Sequence, residues 1–367
     1  MKPDKEGFLF PQIDQAQCVN CGICYDRCPA ASGTERREPR FVYAAQQWEQ
    51  DSLKKSSSGG IAALLAARIL EKGGAVYGCA FDEEVRAVHI RVDKPEHLHR
   101  LAGSKYVQSD IREVLPAIKE DCVSGRLTAF FGTPCQVAVV RNYVGRNASN
   151  LLLVDLICHG TPSPALFADY LQWKALRMGG GKIQSFLFRD KSVWNWGTAY
   201  RATTSTATAS AVITASEDPY YDAFLNAQTF RECCYSCHYA QKNRTGDITL
   251  GDFWGIENQH PESGLDIRAG VSVVLLNTDA GVEAFEEITQ RLLLCKSDFR
   301  KAAAENGNLL HPSQRPPIRD VYYEMVDRHG YAWAFRYLRR QKRYYINKLK
   351  KMLPRKLKRR LKRLVRR

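Results

Sequence analysis

The chain has 367 residues, of which 44% are hydrophobic and 25% are charged. This length suffices for two domains with cores of their own, and the composition excludes a disordered or fibrous protein. The formal net charge is +15, but 17 of the 54 Lys and Arg residues fall within residues 336–367, which contain no Asp or Glu. The other 37 basic residues oppose 39 acidic ones, so the body is close to neutral and the basicity belongs to the tail.

The twelve cysteines cluster in Cys-x2-Cys patterns instead of spreading along the chain as a disulfide framework does. This usage favours a reducing compartment and metal or redox chemistry. The first residues lack the apolar segment of a signal peptide, and no apolar run approaches the roughly 20 residues that a membrane-spanning helix needs. We therefore expect a cytoplasmic protein, either soluble or bound peripherally at the inner face of the membrane.

Residues 1–35 are predicted to form a small iron–sulfur module, because they contain the compact run Cys18-x2-Cys21-x2-Cys24-x3-Cys28-Pro29. Thiolates at this spacing are typical of [4Fe–4S] ferredoxins, in which the fourth cysteine normally ligates the second of two clusters. A zinc site is the alternative. Only one such run is present, and residues 5–14 resemble the connector between two ferredoxin halves. We expect half of a two-cluster ferredoxin, with Cys28 either left over or closing the single cluster.

A Ser/Gly loop opens the next region, with Ser-Ser-Ser-Gly-Gly at 56–60 before a predicted helix at 61–70 and a strand at 75–80. Apolar residues at helical spacing indicate the helix, and Gly73 and Gly74 mark its end. A loop at a helix N-terminus presents free backbone N–H groups that favour a phosphate. The pattern predicts an anion-binding loop, with an ordinary capped helix as the alternative.

Strand–loop–helix units recur at 127–143 and 151–176, and each has a cysteine in its loop, Cys135 and Cys158. In parallel α/β sheets, loops at the carboxyl ends of the strands line the functional site. Two thiols so placed are able to share one ligand.

Residues 183–215 are rich in Thr, Val and aromatic residues, which favours antiparallel strands. Further strands are predicted within 247–255 and 271–277. The expected fold class is therefore α+β or α/β: a small ferredoxin-like module, a mixed α/β domain over residues 40–300, and a helical extension over 301–335.

Four dispersed cysteines form a second candidate metal site: Cys135, Cys158, Cys234 and Cys237. The spacing Cys234-x2-Cys237 suits a single metal centre, whereas buried structural thiols are the alternative for the set. Cys233 is ambiguous because it replaces Cys234 only at an unusual spacing. The other three, Cys79, Cys122 and Cys295, are interpreted as core or surface thiols.

Five motifs occur in one order: Ser-Ser-Ser-Gly-Gly at 56–60, Gly-Ser-Lys-Tyr-Val-Gln-Ser at 103–109, Gly-Thr-Pro-Cys-Gln at 132–136, Cys-His-Gly-Thr-Pro-Ser-Pro at 158–164 and Asp-Ile-Thr-Leu-Gly-Asp-Phe-Trp-Gly at 247–255. In this the chain resembles the coenzyme F420 hydrogenase/dehydrogenase beta-subunit family, which also includes the plant 7-hydroxymethyl chlorophyll a reductase. The resemblance extends from about residue 10 to residue 300.

The resemblance implies that the four dispersed thiols hold a [4Fe–4S] cluster next to FAD. It also implies a cofactor-binding set of Ser58, Gly59, Gly60, Gly103, Ser104, Lys105, Tyr106, Gly251 and Asp252. Lys105 is suited to neutralise a pyrophosphate or to face the flavin ring; the alternative is a surface turn, and Asp252 is alternatively a turn-stabilising acid. The segment 189–191, with Trp194 and Trp196, either borders a substrate pocket or forms a polar β-hairpin with packed indoles.

The expected function is that of an iron–sulfur flavoprotein oxidoreductase. One or two [4Fe–4S] clusters exchange single electrons with FAD, which handles one or two. The resemblance implies ferredoxin or another electron-transfer protein as partner, and coenzyme F420 or another small substrate, such as a sugar intermediate of surface-polysaccharide synthesis. The alternative is a non-catalytic electron-transfer subunit serving a partner enzyme. No catalytic acid or base is indicated.

Residues 336–367 form a basic amphipathic tail, because leucines recur every three or four residues among Lys and Arg: Leu349, Leu353, Leu357, Leu361 and Leu364. Such a helix binds the surface of an anionic membrane. A plain solvated tail is the first alternative, and nucleic-acid binding is the least favoured.

Overall fold

A computed structural model describes residues 1–145, 148–194, 196–206, 211–214 and 217–340. Its strands are β1 (Lys2–Pro3), β2 (Leu9–Phe10), β3 (Phe41–Gln47), β4 (Ala75–Phe81), β5 (Ala87–Val92), β6 (Thr128–Gly132), β7 (Leu151–Leu156), β8 (Ile183–Phe188), β9 (Ala199–Thr204), β10 (Ala211–Thr214), β11 (Ile248–Asp252), β12 (Ser272–Leu276) and β13 (Leu292–Ser297). Its helices are α1 (Ile23–Arg27), α2 (Gln50–Lys55), α3 (Ile61–Glu71), α4 (Leu115–Val123), α5 (Pro134–Val144), α6 (Pro164–Arg177), α7 (Lys191–Trp194), α8 (Pro219–Leu225), α9 (Ile256–Gln259), α10 (Asp279–Glu286), α11 (Phe299–Ala303), α12 (Ile318–His329) and α13 (Tyr331–Arg340). Short 3₁₀ turns lie at Pro95–Leu101, Arg112–Val114, Glu232–Cys234, Thr289–Arg291 and Gly307–Leu309.

An eight-stranded mixed sheet forms the centre of the protein, in the order β13-β3-β12-β11-β7-β6-β4-β5. The strands β4, β6, β7 and β11 are parallel, and antiparallel strands extend the sheet on both sides. The mixed α/β fold expected for the larger domain is therefore confirmed, and the predicted strand–loop–helix units correspond to β6–α5 and β7–α6.

Both faces of this sheet are covered by helices, which is why its central strands are almost continuously apolar. On one face, α3 packs its Leu65 and Ile69 against Val76, Leu152 and other strand residues. On the other face, α4 and α5 cover the ring of Phe130 and its neighbours. Burying both faces leaves the ends of the strands as the place where polar side chains can gather.

A second layer consists of the antiparallel sheet β10-β9-β8, which confirms the strands predicted within 183–215. Its aromatic side chains pack with those of α6, α8 and α12 in one buried cluster that includes Phe186, Tyr200, Tyr170, Tyr221 and Tyr322. The helical extension predicted over 301–335 thus belongs to the core through α12.

The first ten residues pack on the body of the protein. The strands β1 and β2 pair in a hairpin, and Phe8, which is 1% exposed, lies in the aromatic cluster. Glu6 accepts two hydrogen bonds from the buried Arg319 of α12, at 2.8 and 2.5 Å. The segment expected to connect two ferredoxin halves is thus bound to the α/β domain.

No helix in the described part of the chain is long and apolar enough to cross a membrane. The basic tail predicted at 336–367 lies outside the described residues from residue 341 onward.

Replacing Phe8 by Ala should lower the free energy of unfolding by about 3–5 kcal/mol, because a buried aromatic side chain is lost and a cavity is left. Urea unfolding of the iron-free protein under reducing conditions measures the change. Ile13→Ala is the matched control, since Ile13 is 53% exposed and its loss should cost less than about 0.5 kcal/mol. Equal, small effects of both substitutions would show that the N-terminal segment is not part of the core.

Candidate functional site

The predicted site residues gather at one edge of the large sheet. Because β6, β7 and β11 are parallel, their carboxyl ends lie side by side. Cys135 comes just after β6, Cys158 just after β7, and Asp252 is the last residue of β11. The Ser/Gly loop reaches the same edge, since Gly59 N–H donates to Ser272 Oγ at 2.9 Å and Ser272 pairs with Asp252.

Cys135 occupies the first turn of α5, directly after Pro134. Thr133 caps this helix through a capping box with Gln136, whose side chain accepts from the Thr133 N–H at 3.0 Å. The Thr133 hydroxyl also lies 3.2 Å from Cys135 Sγ. The turn that ends β6 therefore fixes the position of the thiol.

The other dispersed cysteines lie on two loops that contact each other. Arg231 N–H donates to Thr161 O at 2.9 Å, which joins the loop of Cys158 to the loop before Cys234. Gly160 has a φ of +133°, and a Cβ there would lie 2.2 Å from the ring of Phe230. Only glycine fits this close approach, which explains the Cys-His-Gly sequence.

The four thiols are close enough to influence one another's charge. Burial is the main cause that raises the pKa of the Cys158 thiol to about 12, and the charge of the nearby Cys135 is the second cause. Burial also raises the pKa of Cys135, with Cys237 contributing, although solvent still reaches Cys135. The pKa of the Cys234 thiol is raised mainly by a hydrogen bond to the exposed Cys233 and next by burial. The charge of Cys158 raises the same pKa further. The structure therefore brings this predicted set within electrostatic range of one another.

A buried ion pair binds these loops to the sheet. Arg244 Nη2 donates to Asp155 Oδ1 of β7 at 3.0 Å, and both side chains are almost fully buried. Asp155 Oδ2 also accepts from Gly246 N–H at 2.8 Å and from the Thr245 hydroxyl at 3.1 Å. The same hydroxyl lies 3.1 Å from Pro134 O. These residues were not predicted from the sequence, because no local motif indicates a contact between positions 89 residues apart.

The N-terminal cysteines lie on a surface loop and on α1. Cys21 and Cys24 are exposed, whereas Cys18 and Cys28 are partly buried. Left-handed backbone at Asn20 and Gly22, with φ of 56° and 75°, folds the loop tightly around them. The exposed thiols make this part of the site open to solvent.

The N-terminal module contacts two segments that follow dispersed cysteines. Arg27 Nη1 donates to Asn142 O of α5 at 2.7 Å, and Asn142 Nδ2 donates to Gly33 O at 2.9 Å. Arg37 pairs with Arg244 through two backbone hydrogen bonds of 2.9 and 2.8 Å. The module is therefore bound to the helix that begins at Cys135 and to the loop that follows Cys237.

The segments predicted to bind FAD also meet at this edge. Ser57 Oγ accepts from Ser104 N–H at 3.0 Å and shares a hydrogen bond with its hydroxyl, so the loops 56–60 and 103–106 are joined. Ser58 Oγ donates to Val271 O at 3.0 Å. A Cβ on Gly59 would lie 2.3 Å from Ala45 O, so this glycine is required by packing on β3. Ser57 was not predicted as a site residue, because a run of three serines gives no basis for choosing among them.

Lys105 donates from Nζ to three carbonyl oxygens, of Leu101, Ala102 and Gly103, at 3.1, 2.8 and 3.0 Å. Burial lowers its pKa to about 8, while the nearby Cys79 thiol acts in the opposite sense. Lys191 has a similar position: it donates to Leu53, Ser58 and Ala269 carbonyls at 3.0, 2.7 and 2.6 Å, and burial followed by Arg189 lowers its pKa to about 8.

Arg189 connects the predicted residues Tyr106 and Asp252. It binds both Asp252 carboxylate oxygens, at 2.6 and 3.2 Å, and lies 3.3 Å from the Tyr106 hydroxyl. Its φ of 63° is left-handed, a costly conformation that non-glycine residues keep mainly at functional sites. Trp196 also donates from Nε1 to Asp252, at 2.9 Å. The indole ring of Trp196 stacks on that of Trp254. Gly251, the residue before Asp252, packs against Ile157. The side chain of Trp194 lies outside the described residues.

Hydrogen bonds link the two candidate sites. Gln136, next to Cys135, donates from Nε2 to Ser109 Oγ at 2.8 Å, and Ser109 ends the segment that contains Lys105. Within the described residues, no three His, Cys, Asp or Glu side chains are placed as ligands of a single metal ion. A [4Fe–4S] cluster spreads its four cysteines over four irons, so it needs a wider arrangement.

Two family models match the chain, and both describe the beta subunit of coenzyme F420 hydrogenase/dehydrogenase. The model of its N-terminal part matches residues 42–116, and the model of its C-terminal part matches residues 125–301. The chain belongs to this family. The resemblance drawn from the five motifs is confirmed, and the family is one of redox enzyme subunits.

No curated protein sequence matches the chain. Among solved structures, it is similar to a chain of the xenon-derivatised F420-reducing [NiFe] hydrogenase complex from Methanosarcina barkeri. The TM-score is 0.47 at 16% identity, over 85% of this chain and 95% of that chain. A likeness at this level has no bearing on function.

Raising the pH from about 7 to 9.5 should stabilise the wild-type protein relative to Lys105→Met. The folded-state pKa of Lys105, about 8, lies below the ordinary value of 10.5, so the folded protein holds fewer protons than the unfolded chain between these values. Stability therefore increases through this window, by about 1–2 kcal/mol for this lysine. Urea unfolding across the pH range gives the difference between the two proteins.

The exposed Lys182, replaced by Met, is the control and should leave the pH dependence unchanged. A wild-type protein with the same pH profile as Lys105→Met would show that Lys105 is not held in a buried, charged state.

Proposed function

We propose that this protein is an iron–sulfur flavoprotein oxidoreductase. The observation that supports the proposal is that Cys135, Cys158, Cys234 and Cys237 lie on loops that contact one another, and that Gln136, next to Cys135, bonds Ser109 of the segment that contains Lys105. When bound, a [4Fe–4S] cluster would carry single electrons, and FAD would convert them into a two-electron or hydride step.

The chemistry of the thiols suits a cluster. Burial raises the pKa of Cys135 and Cys158, so these thiols keep their protons until a metal displaces them. The Thr133 hydroxyl and the Gln136 backbone N–H both form hydrogen bonds to the Cys135 sulfur. Such hydrogen bonds to sulfur set the potential of iron–sulfur centres.

The loops 56–60 and 103–106, together with the segment 189–191, are here called the flavin loops. They have an excess of positive charge, which suits a pyrophosphate. Lys191 and Arg189 lie near one carboxylate, that of Asp252, and Lys105 precedes Tyr106, whose hydroxyl lies 3.3 Å from Arg189. Because the Gly59 N–H already donates to Ser272, we assign the main attraction for the cofactor to the lysines and not to this N–H. Tyr106, stacked on Phe224 at 4.4 Å, would supply a flat surface beside them.

The N-terminal thiols Cys18, Cys21, Cys24 and Cys28 would hold a second cluster that receives electrons at the surface. The exposure of Cys21 and Cys24, and the contact of Arg27 with α5, favour an entry point for ferredoxin or another electron-transfer protein. The terminal substrate is either coenzyme F420 or another small molecule, such as a sugar intermediate. A cytoplasmic location, with the basic tail attached to the inner face of an anionic membrane, stays a prediction.

A non-catalytic electron-transfer subunit is the second candidate. The exposed cysteines of the N-terminal module favour it, because they suit delivery of electrons to a partner enzyme. The two candidates differ in whether the protein binds flavin.

Anaerobic purification should give iron, acid-labile sulfide and FAD in the same preparation. Cys135→Ser or Cys237→Ser should remove one cluster's worth of iron and leave the electron paramagnetic resonance (EPR) signal of the N-terminal site. Cys122→Ser is the control, since Cys122 is a buried residue of α4 that packs in the core. Unchanged iron in both ligand variants would exclude the dispersed site, and clusters without flavin after reconstitution would favour the electron-transfer subunit.

The electron donor can be identified by the reductant that bleaches the flavin absorbance. If the substrate is coenzyme F420, its reduced form should bleach the bound FAD of the purified protein. Reduced ferredoxin should bleach it through the N-terminal site, and Cys21→Ser should slow only this second reaction. Bleaching by ferredoxin with no response to reduced F420 would exclude F420 chemistry.

A further inference from the structure

We propose that Cys295 is a site of reversible thiolation by a small anionic disulfide, with His260 as the base that removes the thiol proton. Both residues lie outside the two cysteine groups and the flavin loops, so neither a bound cluster nor a bound flavin is needed. From the sequence, Cys295 was interpreted only as a core or surface thiol.

Two hydrogen bonds join a thiol, an imidazole and a hydroxyl at one edge of the large sheet. Cys295 Sγ lies 3.5 Å from His260 Nδ1, and His260 Nε2 lies 2.8 Å from Ser297 Oγ. Cys295 and Ser297 are two residues apart on β13, so they face the same side of the strand. When Nε2 donates to Ser297, the lone pair of Nδ1 is directed at the thiol. A nucleophile, a base and a group that orients the base together activate a weak nucleophile.

The imidazole is fixed in place and uncharged. His260 follows α9, where its backbone N–H donates to Ile256 O at 2.8 Å, and its ring lies edge-on to that of the buried Phe253, with 5.9 Å between centroids. Burial and then Lys301 lower the pKa of His260, while Asp298 acts in the opposite sense. The ring is therefore neutral at pH 7, which is the form that accepts a proton.

Solvent reaches this pair, because β13 is an edge strand of the sheet. Cys295 and His260 are both partly exposed. Within the described residues, no third His, Cys, Asp or Glu side chain is placed to complete a metal site with them. Covalent chemistry of the thiol is therefore favoured over metal binding.

The charges around the pair suit an anionic reagent. The exposed Lys296 and Arg300 lie on the segment that follows the thiol, and the charge of Lys301 acts on His260. The carboxylate of Asp298 already accepts from the Lys301 backbone N–H at 2.9 Å. Cations beside a thiol favour its thiolate form and attract a negatively charged disulfide.

The step is a thiol–disulfide exchange. The Cys295 thiol gives its proton to His260 Nδ1, and the thiolate attacks one sulfur of the small disulfide. The sulfur–sulfur bond of the reagent breaks while a new one forms at Cys295, and the leaving thiolate takes the proton from His260. The Cys295 sulfur is thereby oxidised, and the released sulfur is reduced to a thiol.

The test incubates the full-length, anaerobically purified protein with glutathione disulfide, and peptide mass spectrometry follows the mixed disulfide at Cys295. Dithiothreitol should remove it. We expect His260→Gln to slow the reaction at pH 7 about tenfold, because the proton is then lost to solvent and not to a positioned base. Between pH 6.5 and 8 the rate of this variant should rise about tenfold per pH unit, since only thiolate reacts, whereas the wild-type rate should rise less steeply. A histidine that only supported the fold would not change this slope.

His97→Gln is the matched control, since His97 is an exposed histidine just after β5, the strand at the opposite edge of the sheet; its rate should equal that of the wild type. Ser297→Ala is the second variant, because it keeps the base but removes the group that orients it, and it should slow the reaction in the same direction. Thermal unfolding checks the fold of every variant.

Two results overturn the proposal: no mixed disulfide at Cys295 in the wild type, or the wild-type rate and pH slope in folded His260→Gln. If His260→Gln does not fold, the rate in Ser297→Ala decides, and an unchanged rate there overturns the proposal.

Discussion

The buried ion pair of Asp155 and Arg244 is the interaction on which the candidate site depends. Asp155 lies on β7 three residues before Cys158, and Arg244 lies on the loop that follows Cys237. Through Thr245 the same carboxylate reaches the turn of Cys135, and through the backbone of Arg244 it reaches the linker of the N-terminal module. A buried pair of this kind is costly to break, because a lone charge is then left away from water. The cysteine-bearing segments are thus held by one carboxylate.

The loops proposed to bind flavin are held by lysines bonded to backbone carbonyls and not by a buried ion pair alone. Lys105 and Lys191 place their ammonium groups among backbone carbonyls, so the two cations hold the loops together. The carbonyls satisfy these groups but do not neutralise them, and the positive charge is retained for an anionic ligand. Arg189 adds the connection to Asp252 at the end of β11. The loops would therefore be ordered before a cofactor arrives, which reduces the entropy lost on binding.

The sequence predicted the elements and the candidate residues better than the contacts between them. The helices α3 and α6 and the buried strands were predictable from local periodicity, and Cys135 and Cys158 from their places after strands. Their meeting with Cys234 and Cys237 required a family resemblance. The roles of Asp155 and Arg244 were not predictable, because they arise from contacts between residues far apart in the chain. The hairpin of Phe8 looked like part of a ferredoxin, since its local sequence is similar and only packing shows where it lies.

The N-terminal module is held at both of its ends, and this decides how it can work. Phe8 and Glu6 bind the segment before the cysteines to α12 and the aromatic cluster, while Arg37 binds the segment after them to Arg244. A carrier on a flexible linker reaches its acceptor by repeated encounters, at a rate set by its effective concentration. A module attached at both ends has already met the cost of docking when the protein folds. If the module holds a cluster, as proposed, an external donor would need only to reach the exposed Cys21 and Cys24, because the module is already fixed on the α/β domain.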